Sequence, residues 1–380
     1  MQSTNTSSRT RSDTFFGASR KRPADPDLAA QVVMLRSAIS RHNSQLNRLL
    51  ANTCSNDETI GPGECKLFDM ATLDLRLASL KNSPDRALEG ELKKAKTLGA
   101  VRKLATPPAA SGIDQMSRSF PHFAAVIELV RQRAALAEIT PGRIFTLPPI
   151  LLSGSPGVGK TAFCEALARC LGVPTRRVDM ATATAGFVLS GSHSSWSSAR
   201  AGAVWSLLQS PVACGLLLLD ELDKACSSNY PPIGPLYGLL ERSSATHFAD
   251  EYIEVEIDAS HVMAFATCND IEQVEGALRS RFAEFEIPEP TPSQMIDIAR
   301  SVYRTRHHQS AWGSVFPDEL ESEVAERLTV CTPREVAGLL EAAVAHAASK
   351  MRRQIEPADI EYAQMARQQR SPQQRHIGFI

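Results

Sequence analysis

Apolar residues recur along this chain in two rhythms, and the change comes near residue 150. From Asp27 onward, Leu28, Val32, Leu35, Ile39, Leu46, Leu49 and Leu50 fall mostly at three- and four-residue steps, the spacing of one buried helix face. A second helical stretch covers 70–80, and after Ser83-Pro84-Asp85 a third runs over 85–104. Thr106-Pro107-Pro108 with Ser111-Gly112 is loop chemistry and reads as a linker over 106–120. Residues 27–105 are therefore expected to form a small helical N-terminal domain. Residues 1–26 are rich in Ser, Thr and Arg and nearly free of aliphatics, which predicts a flexible tail.

Beyond the linker the period shortens. A helix over 121–138 precedes Pro148-Pro149, and five short apolar runs follow at 150–153, 176–179, 215–219, 262–267 and 284–287. Runs of this length alternating with helical patterns predict an α/β fold with a parallel five-stranded sheet and flanking helices, here spanning 121–290. Pro288-Glu289-Pro290-Thr291-Pro292 breaks the chain. A helical domain over 291–368 is expected after it, with helices near 293–307, 318–329, 333–349 and 357–368, then a tail over 369–380.

Composition changes this picture little. With 380 residues and 43% hydrophobic content, the chain can fill two or three cores. The net charge of −1 averages an uneven distribution: +6 over residues 1–120 (18 basic, 12 acidic) and −7 over the rest (23 basic, 30 acidic). A DNA-associated role would rest on the basic N-terminal third alone, where Arg20-Lys21-Arg22 also reads as an ordinary solvated tail; nucleic acid is not the favoured partner. The longest strongly apolar run, 212–219, is far short of the about 20 residues a spanning helix needs, and the N-terminus lacks a secretory apolar core. The eight cysteines are scattered without a CxxC pair, which points to reduced thiols and a cytoplasmic location rather than zinc or disulfides.

Chemistry enters at Gly154-Ser155-Pro156-Gly157-Val158-Gly159-Lys160-Thr161, which fits the phosphate-binding pattern GxxxxGK[ST]. It lies between an expected strand and an amphipathic helix, where backbone N–H groups and the helix N-terminus can cradle phosphate oxygens. Lys160 would supply charge to the β- and γ-phosphates, and the Thr161 hydroxyl could ligate Mg²⁺. About 55 residues on, Leu216-Leu217-Leu218-Leu219-Asp220-Glu221 reads as a central strand ending in two carboxylates. Open α/β sheets bind ligands at that end, so Asp220 would hold the Mg²⁺ shell and Glu221 would polarise a water. Taken alone, such an acidic pair is commonly a strand-to-helix cap; beside the phosphate-binding motif the catalytic reading is favoured.

These motifs resemble the AAA+ ATPases. The GSPGVGKT and LLLLDELDK blocks, the Leu-Ser-Gly segment at 189–191 and HFADEYIEVEIDASHVMAFATCND at 247–270 resemble in particular the ATPase module of Lon proteases. The resemblance is dense over 120–290, weaker through the following helices and absent before about 115. With Ile380 so soon after those helices, the expectation is a Lon-type motor without the serine–lysine peptidase domain. The resemblance implies an ATP- and Mg²⁺-dependent ATPase that forms a homo-oligomeric ring, as in a hexamer, with the C-terminal helices as a lid and protein clients or partners recruited by the N-terminal domain. A nucleotide-driven assembly switch or scaffold is the alternative. By position, Asn269 matches the water-orienting sensor 1, Arg281 the arginine finger (Arg279 the fallback) and Arg334 the sensor-2 arginine of the lid. Trp196 falls on the aromatic of the pore loop that grips a threaded chain, although it could instead fold onto its own domain. Tyr230 falls where a second pore loop would lie.

Overall fold

The structure is a computed structural model that describes residues 60–80, 85–183, 185–194, 196, 198–227 and 232–370. The expected tail over 1–26, the first half of the expected N-terminal domain, Tyr230 and residues 371–380 lie outside the described residues. The described residues begin with strand β1 (Glu64–Lys66), helices α1 (Met70–Ser79) and α2 (Arg86–Leu98), strand β2 (Val101–Lys103), then α3 (Ala110–Ser119) and α4 (Ala124–Ile139). Strand β3 (Ile150–Ser153) leads into α5 (Lys160–Leu171), β4 (Thr175–Asp179), α6 (Ala203–Leu208) and β5 (Leu216–Asp220). The short β6 (Phe248–Ala249) and β7 (Glu256–Ile257) precede β8 (Met263–Cys268) and β9 (Ala283–Glu286). Helices α7 (Pro292–Gln309), α8 (Ser322–Arg327), α9 (Pro333–Ser349) and α10 (Pro357–Arg370) end the described residues.

The sheet has five parallel strands in the order β4-β5-β8-β3-β9, each within one residue of its expected position. The aliphatic run of β5 is buried on both faces, and its side chains still alternate. Leu216 and Leu218 join a core with Phe163 and Leu167 of α5 and Val126 and Val130 of α4. Leu217 and Leu219 face the opposite core, which includes Trp205, Leu73 and Leu92. Edge strand β4 is different. Of its five residues only Val178 is buried, which leaves Arg176 and Arg177 at the rim.

Two expectations before residue 120 need correction. The third helical stretch does not reach 104: α2 stops at Leu98, and after Gly99 the chain returns as β2, antiparallel to β1. This part of the expected N-terminal domain shares its core with the sheet. Its anchor is Arg102, which is buried, lies 5.6 Å from the Phe68 ring centre and donates to the carbonyls of Gly99, Leu208 and Ser210. Burial lowers the guanidinium to about 10, so it stays charged at neutral pH. The expected linker over 106–120 is the second correction, since α3 occupies Ala110–Ser119 and buries Ile113 and Met116. Packing against α5 overrides the weak helix propensity of Ser111 and Gly112.

Helices α7 to α10 close a separate core around Tyr303, Leu339, Leu340 and Ile360. Capping boxes start α7 (Thr291, Gln294) and α9 (Thr332, Glu335). The expected helix over 318–329 is shorter, Ser322–Arg327. Asp359 of α10 is fully buried, 2.7 Å from both Arg352 nitrogens and 2.6 Å from His346 Nδ1, and accepts the Glu356 N–H. Burial alone would raise its pKa; the Arg352 guanidinium, the Glu356 N–H and His346 outweigh it and hold the carboxyl at about 2. An unfolded aspartate titrates near 3.9, so this group stabilises the fold above that pH and the contribution fades as pH falls through about 2. Asp359→Asn is expected to lose on the order of 2 kcal/mol near neutral pH. Thermal midpoints of variant and parent should converge as the pH is lowered towards 2, and a gap that does not change with pH would contradict this assignment.

Candidate nucleotide-binding site

The phosphate-binding motif folds as a loop between β3 and α5. Gly157 (φ 86°) and Gly159 (φ 103°) take left-handed backbone angles that side-chain-bearing residues adopt with strain, and Gly159 caps α5. Lys160, the first residue of α5, is buried, and its ammonium donates to Gly154 O (2.7 Å), Ser155 O (3.1 Å) and Asn269 Oδ1 (3.0 Å). Burial lowers its pKa, opposed by the carboxylates of Asp223, Asp220 and Glu221.

Asp220 ends β5 beside this loop. The Thr161 hydroxyl donates to its Oδ1 at 3.0 Å, the Thr267 hydroxyl of β8 also donates to Oδ1, and an Arg177 nitrogen lies 2.6 Å from Oδ2. A carboxylate and a hydroxyl at this distance form the hard, all-oxygen donor pair that Mg²⁺ prefers, so these residues fit that ion. Glu221 follows in left-handed conformation (φ 57°), uncommon for a non-glycine residue, and its N–H donates to Thr267 Oγ1 at 3.1 Å. That turn leaves the Glu221 side chain exposed in the cleft wall while Asp220 is buried. Asn269 lies just past β8, its N–H held by Asp223 Oδ2 at 3.2 Å.

A cleft of about 1150 Å³ runs between these residues and the C-terminal helices. Its walls include Pro156 to Thr161, Asp220, Glu221 and Asn269 on one side, with Ile298, Val302 and Arg334 on the other. The N-terminus of α9 is tied to the P-loop by the Arg334 N–H, which donates to Gly157 O at 3.2 Å. Several wall contributors escaped the sequence reading. Helix α3 adds Gln115, Met116 and Ser119, hidden because its segment reads as linker. His122 is buried with Nε2 2.9 Å from Val158 O and with no hydrogen-bond partner for Nδ1; burial lowers its pKa, which keeps the ring neutral near pH 7. Arg177 and Thr267 looked like ordinary strand residues. For Asp223 the DELDK block was a signal, and only its role was missed.

Other candidate residues lie apart from the cleft walls. The Arg281 guanidinium is 5.1 Å from the Tyr237 ring centre and donates to Ala277 O at 2.6 Å. Arg279 pairs with Glu284 at 3.0 Å and Glu272 at 3.4 Å. Trp196 is 55% exposed and meets Phe187 edge-on at 5.9 Å between ring centres. Its loop is pinned at the base by buried Asp250, which accepts the N–H groups of Gly202 (2.7 Å), Tyr252 (3.0 Å) and Ile253 (3.2 Å). A β-carbon on Gly202 would sit 2.2 Å from Leu189 O, so the loop closes only with glycine there. Burial pushes the Asp250 carboxyl up to about 6 despite these three donors.

Residues 150–289 match the family model of the AAA ATPases, the ATPase family associated with various cellular activities. Lon protease 2 of Thermus thermophilus is 28% identical over 191 residues, covering 50% of this chain and 24% of that protein. The Lon protease of Mycoplasma genitalium is 31% identical over 156 residues (40% and 20%), and the peroxisomal Lon protease homolog 2 of Kluyveromyces lactis is 27% identical over 244 residues (61% and 23%). The chain thus spans less than a quarter of the length of these curated relatives. Among solved structures, the RuvB Holliday junction branch migration motor of Thermotoga maritima aligns with a TM-score of 0.41 at 15% identity, covering 68% of this chain and 70% of that one.

Proposed function

We propose that this chain, whose residues 150–289 match the AAA ATPase family model and resemble the ATPase module of Lon proteases, is a Mg²⁺-dependent ATPase that remodels protein clients in a ring, as a hexamer. The observation that carries this reading is the hydrogen-bonded convergence of Lys160, Thr161, Asp220 and Asn269, with the first turn of α9 bonded to the same loop. Backbone N–H groups of the loop from Gly157 to Thr161 and the Lys160 ammonium hold the phosphates of ATP. Thr161 and Asp220 would ligate Mg²⁺, which supplies charge neutralisation at the phosphates when bound. Glu221 takes the proton of a water that Asn269 orients for in-line attack on the γ-phosphate, and ADP leaves. The neutral His122 ring and the apolar wall around Met116 and Val302 suit a purine base.

Arg334 reports the nucleotide to the lid, and α7 to α10 move about the proline-rich segment that precedes them. Arg281 does not line its own cleft, as a residue serving a neighbouring subunit's nucleotide would not. Trp196, exposed on its pinned loop, faces the ring channel and grips the client; Tyr230 is assigned to the second pore loop. The basic N-terminal domain recruits the client or partner. Among the described residues Cys65, Cys164, Cys170, Cys214, Cys268 and Cys331 are free thiols, and we assign the protein to a reducing compartment such as the cytoplasm. Among the described residues no helix is long and apolar enough to cross a membrane.

Trp196→Ala tests the remodelling half of the proposal. Client unfolding, followed with a destabilised fluorescent protein, should fall at least about tenfold, and ATP turnover should no longer rise when client is added. Client processing at the parental rate would favour a nucleotide-driven assembly switch instead.

A further inference from the structure

Asp220 is engaged by three side chains of this chain. Oδ1 accepts from the hydroxyls of Thr161 and Thr267, and Oδ2 lies 2.6 Å from Arg177. Arg177 comes from edge strand β4, whose register sets it opposite Leu218 and sets Asp179 opposite Asp220. Leu218 belongs to the core on the α5 side of the sheet. Arg177 therefore leaves its strand on the P-loop side and reaches along the strand end to the carboxylate. The two partners differ sharply in environment: the Asp220 side chain is 6% exposed and that of Arg177 is 53% exposed. A buried carboxylate without a cation is costly, whereas a half-exposed guanidinium returns to water easily.

We propose that Arg177 is a stand-in cation for Asp220: it neutralises the carboxylate while no divalent metal is present and surrenders it when the metal–nucleotide complex binds. Arg177 is thus a positioning residue that sets how tightly the site takes its metal, because ion and guanidinium draw on the same carboxylate. The proposal rests on the nucleotide reading of the cleft, and it follows from the ion pair rather than from the motif.

The test uses the full chain and its Arg177→Gln and Arg177→Lys variants with Mn²⁺ as the probe. Free Mn²⁺ is read by electron paramagnetic resonance at saturating non-hydrolysable ATP analogue, and binding of a fluorescent ADP is measured separately in EDTA. Arg177→Gln should lower the Mn²⁺ midpoint about fivefold, the factor a half-exposed ion pair contributes, with Arg177→Lys nearer the parent. The thermal midpoint of Arg177→Gln should drop in EDTA and recover with Mn²⁺ and analogue. An unchanged or raised Mn²⁺ midpoint overturns the proposal. So does a loss of about tenfold in ADP affinity in EDTA, which would place Arg177 on the phosphates instead. If the parent binds no nucleotide at all, the cleft reading fails, and that failure is distinct from this one.

Discussion

Glu221→Gln is expected to bind ATP as the parent does and to release phosphate between about 10² and 10⁴ times more slowly, the usual contribution of a positioned general base. The expectation follows from the turn after β5. Asp220 points into the sheet end and is engaged by three side chains, whereas Glu221, in left-handed conformation, is turned out into the cleft wall. Only the second carboxylate is free to take a proton from a water at the γ-phosphate. Glutamine keeps the size and the Thr267-bound N–H of that turn but cannot act as a base. The substitution should therefore leave thermal stability within about 1 kcal/mol of the parent, since the side chain is exposed. Phosphate release at the parental rate would move the base elsewhere, with Asp220 already committed.

Arg281→Ala carries the second large effect. If this guanidinium serves a neighbouring subunit, turnover in the assembled state should fall by about a thousandfold, as for other arginines placed on a transferring phosphoryl group. Dilution below the assembly threshold should erase the difference between variant and parent. A mixing experiment sharpens this: Arg281→Ala subunits combined with Lys160→Ala subunits should regain activity at mixed interfaces, where one supplies the intact cleft and the other the arginine. The competing role is local, because Arg281 lies over the Tyr237 ring and bonds the Ala277 carbonyl. Such a contact is worth about 0.5–1 kcal/mol at an exposed site. A variant that loses that much stability and no turnover would be explained by packing alone. Arg279 is a poorer candidate, held between Glu272 and Glu284.

The sheet and the phosphate loop were legible in the sequence for the same physical reason: both are dictated locally. A run such as Leu216 to Leu219 has no stable place except a strand buried on both faces, and the glycines at 157 and 159 announce backbone angles that other residues resist. The capping boxes at Thr291 and Thr332 likewise act within four residues. What escaped depends on contacts between distant segments. Strand β2 is three residues long and exists because Val101, Arg102 and Lys103 find Lys66, Cys65 and Glu64. Helix α3 forms from residues that resemble a linker because Ile113 and Met116 have a core to enter. Arg177 and His122 carry no motif, and Asp250 sits in the 247–270 block without that block announcing its role; their importance lies in what surrounds them: a buried carboxylate, a buried ring nitrogen with no hydrogen-bond partner, and three N–H groups of which that of Gly202 ties down the end of the Trp196 loop.

The most direct test of the central claim is the nucleotide carried by Glu221→Gln after incubation with ATP and Mg²⁺ and passage through a sizing column. A cleft built for hydrolysis in a ring predicts ATP, not ADP, bound in a particle several times the 41.3 kDa of one chain. Bound ADP, or a column peak free of nucleotide, would contradict the account.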